Sequence, residues 1–270
     1  MTDSGEVARE SRPLARIRIE DVWPVLGLIA LAGLAWVVTV DRMQGMDTGP
    51  GTDLGGVGWF AGVWAVMMAA MMLPSLSPMA VGYSRASGSG AGSVGGAVLF
   101  AAGYLLVWLI GGLLAYALVE GVRSLDLGFL GWDEGGRYVA GGVITGAALY
   151  EFTPVKRRCL RHCRDSRSLR HRPGAVGAFS MGLEQGGFCV GCSWALMAAL
   201  FALGVMSIAW MVVIAALIAI EKLLPWELPP RGTTVVVLVV LGLGVAFFPD
   251  QVPGLTTPTE MMEPMDAMSM

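Results

Sequence analysis

The chain has 270 residues, 55% of them apolar and 14% charged, with a mean hydropathy of +0.65. A soluble domain carries about 25% charged residues, so this composition reads as a membrane protein and excludes an ordinary water-soluble fold. The net charge is only −3, but the charges are segregated along the chain.

A helix that crosses the bilayer needs about 20 mostly apolar residues. Seven stretches qualify: 22–40, 58–80, 97–119, 136–152, 186–205, 207–224 and 233–249. The expected fold is all-α, a polytopic helical membrane protein with about seven transmembrane helices. Its domain plan is a cytoplasmic segment (1–21), a helical membrane domain (22–249) and a Met-rich extracytoplasmic tail (250–270). No small-residue cleavage site follows the basic N-terminal segment, so the first helix is expected to be retained. With the N-terminus inside, fifteen of the 18 Lys and Arg residues fall on the inner side and only Arg42, Arg123 and Arg137 on the outer side. This is a positive-inside pattern, and it puts the C-terminus outside the inner (plasma) membrane.

After the first span comes DRMQGMDTGPGTD, flexible by composition and offering Met43 and Met46 between Asp41 and Asp47. The second span reads WAVMMAAMMLPSLSPM. Met67, Met68, Met71 and Met72 form two i,i+4 pairs on adjoining faces. Pro74 and Pro78 each remove a backbone donor, and Ser75 and Ser77 are placed to satisfy the freed carbonyls. The methionines read either as flexible packing residues or as an intramembrane thioether site. The third span offers only packing. The fourth carries Gly142-x-x-x-Gly146, a pattern of close helix contact.

At Thr153-Pro154 a new helix is expected to start, capped by the threonine with proline in its first position. Val155, Cys159, Leu160 and Cys163 then share one stripe. Lys156, Arg157, Arg158, Arg161 and Arg164 cover the rest, facing cytosol and anionic headgroups. This is a short basic amphipathic helix at the cytoplasmic face. Next comes GLEQGGFCVGCSWALM, residues 182–197, read as the cytoplasmic mouth of the fifth span, with Glu184, Gln185 and the pair Cys189 and Cys192. Only Val205 to Ser207 separates the fifth and sixth spans, which predicts a tight hairpin. Glu221-Lys222 before Pro225-Trp226 reads as an interfacial ion pair, with a functional acid as the alternative. The tail holds Met261, Met262, Met265, Met268 and Met270 and is too polar to fold alone.

Ligand softness joins these pieces. Thiolates and thioethers select soft ions, Cu(I) above all. Methionine dominates the expected outer side, and all four cysteines fall on the inner side, where thiols stay reduced. Cys159 and Cys163 at i,i+4 and Cys189 and Cys192 at i,i+3 each pair their sulfurs on one face. Four such sulfurs would close a tetrahedral zinc-type site; two or three would suit Cu(I). Glu184 is a further candidate near the metal, as a hydrogen-bonding group or a residue of the headgroup layer. Thiol redox chemistry in a membrane thiol–disulfide oxidoreductase, and a structural or assembly subunit with inert cysteines, are the competing readings. No phosphate loop, nucleophile triad or nucleic-acid module is present, so neither an enzyme nor a nucleic-acid binder is expected.

WAVMMAAMMLPSLSPM, TPVKRRCLRHCR and GLEQGGFCVGCSWALMAALFALGVMSIAWMVVIAALIAIEKLLPW together resemble the family of predicted metal-binding integral membrane proteins, over about residues 55–226. That family includes a copper chaperone that accompanies a bacterial tyrosinase. The resemblance implies a bacterial inner-membrane protein that handles copper and delivers it to an exported copper enzyme or to another metallochaperone, with the lipid bilayer as its surroundings.

The charge asymmetry makes a direct prediction. A topology reporter fused at Ser166 should report the cytosol, and one fused after Met270 the outer compartment. Both reporters in one compartment would overturn the sorting of sulfur.

Overall fold

A computed structural model describes residues 19–43, 54–87, 91–125, 135–164, 172–223 and 230–252. Among the described residues the chain is helical, with no strand. Its elements are α1 (Ile19–Met43), α2 (Val57–Ser87), α3 (Ala91–Ser124), α4 (Arg137–Tyr150), α5 (Pro154–Arg164), α6 (Gly174–Leu203), α7 (Ile208–Leu223) and α8 (Pro230–Phe247), followed by a 3-10 turn at Pro249–Gln251. Four stretches are long and apolar enough to cross a membrane: Val25–Met43, Val57–Ser77, Val94–Ser124 and Gly174–Leu203. The other three expected spans form helices of 14, 16 and 18 residues, namely α4, α7 and α8.

The helices pack chiefly in neighbouring pairs, α1 with α2, α3 with α6 and α4 with α8. Backbones approach closely where glycine removes the side chain. A Cβ at Gly182 would run into the Phe100 carbonyl, and one at Gly103 into the Phe179 carbonyl, so α3 and α6 are bound to touch here. In α4 the close approach falls at Gly141, where a Cβ would meet the Gly242 carbonyl of α8 at 2.6 Å. Gly142 and Gly146, the expected contact pair, have nothing within 4 Å of a Cβ. The close contact therefore falls at Gly141 and not at the Gly142-x-x-x-Gly146 pair expected from the sequence.

Helix α2 runs through both prolines. Ser77 Oγ donates to the Pro74 carbonyl at 2.7 Å, which is the acceptor that Pro78 leaves without its i+4 donor. Ser75 Oγ donates instead to the Met72 carbonyl at 2.8 Å. At the other end of α2, Phe60 and Trp64 stack, Trp64 meets Phe201 of α6, and Trp64 Nε1 donates to the Trp108 carbonyl of α3 at 2.8 Å. The expected hairpin between α6 and α7 is a turn from Gly204 to Ser207. Gly204 holds φ +106°, and Ser207 N–H donates to its carbonyl at 3.0 Å. That φ is one that glycine adopts readily.

The glycine map separates two substitutions. Gly182→Val should overpack the α3–α6 seam and cost about 1–3 kcal/mol. Gly142→Ala should be neutral or stabilising by up to about 1 kcal/mol. Thermal unfolding of the two variants in the same detergent checks the order.

Candidate metal centre

Helix α6 begins at Gly174, about four turns ahead of Cys189. Cys189 and Cys192 therefore lie in the middle of a 30-residue helix, fully buried, and not at its mouth as expected. Helix α5 starts as the sequence suggests: the Lys156 N–H donates to Thr153 Oγ1 at 3.3 Å, with Pro154 first in the helix. It packs against α6 and brings Cys163 Sγ to 3.8 Å from Cys192 Sγ. Two sulfurs at about 2.3 Å from one tetrahedral metal stand about 3.8 Å apart, so the spacing of this pair is compatible with a shared soft cation once Cys192 gives up its S–H. Cys192 Sγ also donates to the Cys189 carbonyl at 3.2 Å and contacts Ser193 Oγ at 3.3 Å. Half-buried Cys159 lays its sulfur against Gly191, where any Cβ would collide with it, and Tyr150 donates to the Gly191 carbonyl at 2.6 Å. The glycine within Cys-x-x-Cys is thus the seat for α5.

Cys189 has different company. Lys222 Nζ of α7 donates to its sulfur at 2.8 Å, and the Tyr104 hydroxyl of α3 lies 2.9 Å from the same atom. Lys222 Nζ is also 3.5 Å from Ser75 Oγ, the hydroxyl bonded to the Met72 carbonyl. Three helices meet at this sulfur, α6 that carries it with α3 and α7, and α2 joins through Lys222. The ammonium supplies the positive charge that a thiolate there requires, through a charge-assisted hydrogen bond.

Beside this contact lies a buried ion triad. Lys156 was expected on the solvated face of α5 with its neighbouring arginines. Arg157, Arg158 and Arg161 are indeed exposed, but Lys156 is 1% exposed and donates to Glu151 and to Glu221, the latter at 2.9 Å. Two buried carboxylates draw it inward. Glu221 and Lys222 do not pair with each other as an interfacial couple. Consecutive helical side chains diverge by about 100°, and each takes a separate partner, Glu221 on α5 and Lys222 on α6.

Of the remaining predicted residues, Met67, Met68, Met71 and Met72 are all buried. Met43 is the last residue of α1 and is also buried, so it packs in the fold and is not part of a flexible loop. Met46, Trp226 and the tail methionines lie outside the described residues. Glu184 is half exposed and pairs with Arg172 at 3.1 Å. It stands five residues before Cys189, which on a helix points it well away from that sulfur. Among the described residues no three His, Cys, Asp or Glu side chains meet in a group that could hold a metal ion, so the four cysteines do not close one tetrahedral cage. Sequence reasoning missed Tyr104, Glu151 and Lys156 as members of the site, and misassigned Glu221 and Lys222. The available signal was ionisable residues bordering apolar runs, which mark functional interiors in membrane proteins.

Comparison with known proteins adds one finding. A family model described as PpoB2, copper chaperone, matches residues 61–245, more than half of the chain and all the helices that carry this site. No curated protein and no solved structure matches the chain.

The triad predicts non-additive stability. Lys156→Met strands two buried carboxylates and should cost about 3–5 kcal/mol. Adding Glu151→Gln and Glu221→Gln should recover much of that loss, as seen by thermal unfolding in detergent.

Proposed function

This chain belongs to the copper chaperone family, and from that premise we propose that it is a membrane-embedded carrier of Cu(I), not an enzyme. In this reading seven helices cross a bacterial inner membrane with the N-terminus in the cytosol, and α5 lies as a basic amphipathic helix at the cytoplasmic face. The cargo is handed to an exported copper enzyme or a partner metallochaperone. Cys163 and Cys192 clasp the ion, Cys189 offers a third thiol one turn away, and the buried methionines of α2 receive it deeper in the protein. Cys159 is an accessory thiol against Gly191. The zinc alternative asks for four converging ligands and draws less support from this arrangement than two- or three-sulfur Cu(I) does.

One observation carries the reading: two buried thiols 3.8 Å apart on helices α5 and α6, next to a third thiol held by an ammonium. The donors are soft, shielded from water and already spaced for one cation. A second reading, thiol–disulfide exchange, draws on the same pair, since the sulfurs need only approach to about 2.05 Å to bond.

Purified protein loaded with Cu(I) under reductant should lose bound copper when Cys163 and Cys192 are both changed to Ser. Unchanged stoichiometry would remove the pair from the site. Lys222→Met should weaken Cu(I) binding about 10–100-fold, the usual effect of losing a group that orients a ligand, as measured by competition with a chromophoric Cu(I) chelator. Thiol trapping before and after oxidant separates the redox reading: a Cys163–Cys192 disulfide formed reversibly, with no copper uptake, would favour exchange over carriage.

A further inference from the structure

The buried triad does not balance its own charge. Two carboxylates, Glu151 and Glu221, face a single ammonium, Lys156. The groups that bear on Glu151 are Lys156 from α5 and Glu221 from α7. The next cation along α7, Lys222, is turned to Cys189 and Ser75, and Tyr150 of α4 is turned to the Gly191 carbonyl. Glu151 is 0% exposed, and while Lys156 holds its Oε1, its Oε2 has no hydrogen-bond partner. An ionised carboxylate oxygen left bare in an apolar interior is strongly disfavoured. A proton on the carboxylate pair removes both the excess charge and the bare anion.

The triad is also tied to the sulfur site. Glu221 and Lys222 are consecutive on α7, one bound to the triad and the other to Cys189. A cation taken up at Cys189 comes to the sulfur that the Lys222 ammonium now occupies, and it adds one positive charge to a closed interior. The ammonium it displaces stays charged, so the closed interior then carries one positive charge more than before, and loss of one proton restores the balance.

We propose that Glu151, Lys156 and Glu221 form a buried proton-binding site, with the proton held on the carboxylate pair, and that it gives up this proton in exchange for the cation bound at Cys189. The balance closes with Cys189 as the thiolate partner of the Lys222 ammonium and with Cys192 keeping the S–H that it donates to the Cys189 carbonyl: one Cu(I) enters, one H⁺ leaves the carboxylate pair, a sulfur–copper bond replaces the N–H···S hydrogen bond, an O–H bond breaks, and nothing is oxidised or reduced. The exchange rests on the copper-carrying reading above; the proton site does not.

Infrared spectroscopy of the metal-free full chain in detergent tests the site. The wild type should show a carboxylic-acid C=O band, sensitive to D2O, equivalent to one buried acid per chain. It should vanish in Glu151→Gln and persist in Glu120→Gln, an exposed control. Glu221→Gln serves as the second variant if the first fails to fold, and it should move or abolish the band. No such band in the wild type, or an unchanged band in the folded variants, overturns the site. Cu(I) alone, added anaerobically, should then diminish the band in proportion to copper bound. A constant band with copper bound overturns the exchange. No copper uptake overturns the exchange together with the carrier reading, and the metal-free band still decides the proton site.

Discussion

A charge taken out of water has to meet an opposite charge, and that constraint arranges the interior of this protein. Two lysines, Lys156 and Lys222, are buried among apolar helices. Each is held by partners on other elements: Lys156 by Glu151 and Glu221, Lys222 by the Cys189 sulfur with Ser75 and Tyr104 around it. These contacts pin α5 and α6 to α7 and bring α2 and α3 alongside. Apolar packing alone is non-directional; the two ammonium groups specify which helices meet and in what register. The sulfur pair of Cys163 and Cys192 sits at the seam they define.

The same contacts join two groups of sulfur that are far apart in the chain. The Met72 carbonyl is bonded by Ser75, Ser75 lies beside Lys222, and Lys222 donates to Cys189. The thioether-rich turn of α2 and the thiols of α6 therefore abut through a single lysine. Met67, Met68, Met71 and Met72 of proline-marked α2 are all buried in the same bundle as the thiols.

Much of this was legible in the sequence, because the signals were local. Apolar length gave the helices, Thr153-Pro154 gave the start of α5, and the short Val205–Ser207 link gave the turn before α7. The two short cysteine spacings pointed to sulfur from both segments, but which sulfurs meet, Cys163 and Cys192, came from the packing of α5 on α6. What escaped was long-range. No pattern within α5 distinguishes Lys156 from Arg157 and Arg158; only Glu151 and Glu221, 5 and 65 residues away, turn it inward. Tyr104 is 85 residues from the sulfur it touches. Glu184 was misread because nearness in sequence was taken for nearness in space, although the helical angle points it at Arg172. The start of α6 lay further back than the apolar run, since glycine and serine continue a helix that hydropathy alone does not register, and this moved the cysteines from its mouth to its middle.

The central claim is that the buried thiols at the α5–α6–α7 junction hold the copper that this family carries. X-ray absorption spectroscopy of the Cu(I)-loaded wild-type protein tests it most directly. The account predicts a first coordination shell of two or three sulfurs, which loses sulfur when Cys163 and Cys192 are replaced by Ser. A first shell made of nitrogen or oxygen, or a sulfur shell untouched by that replacement, would contradict it.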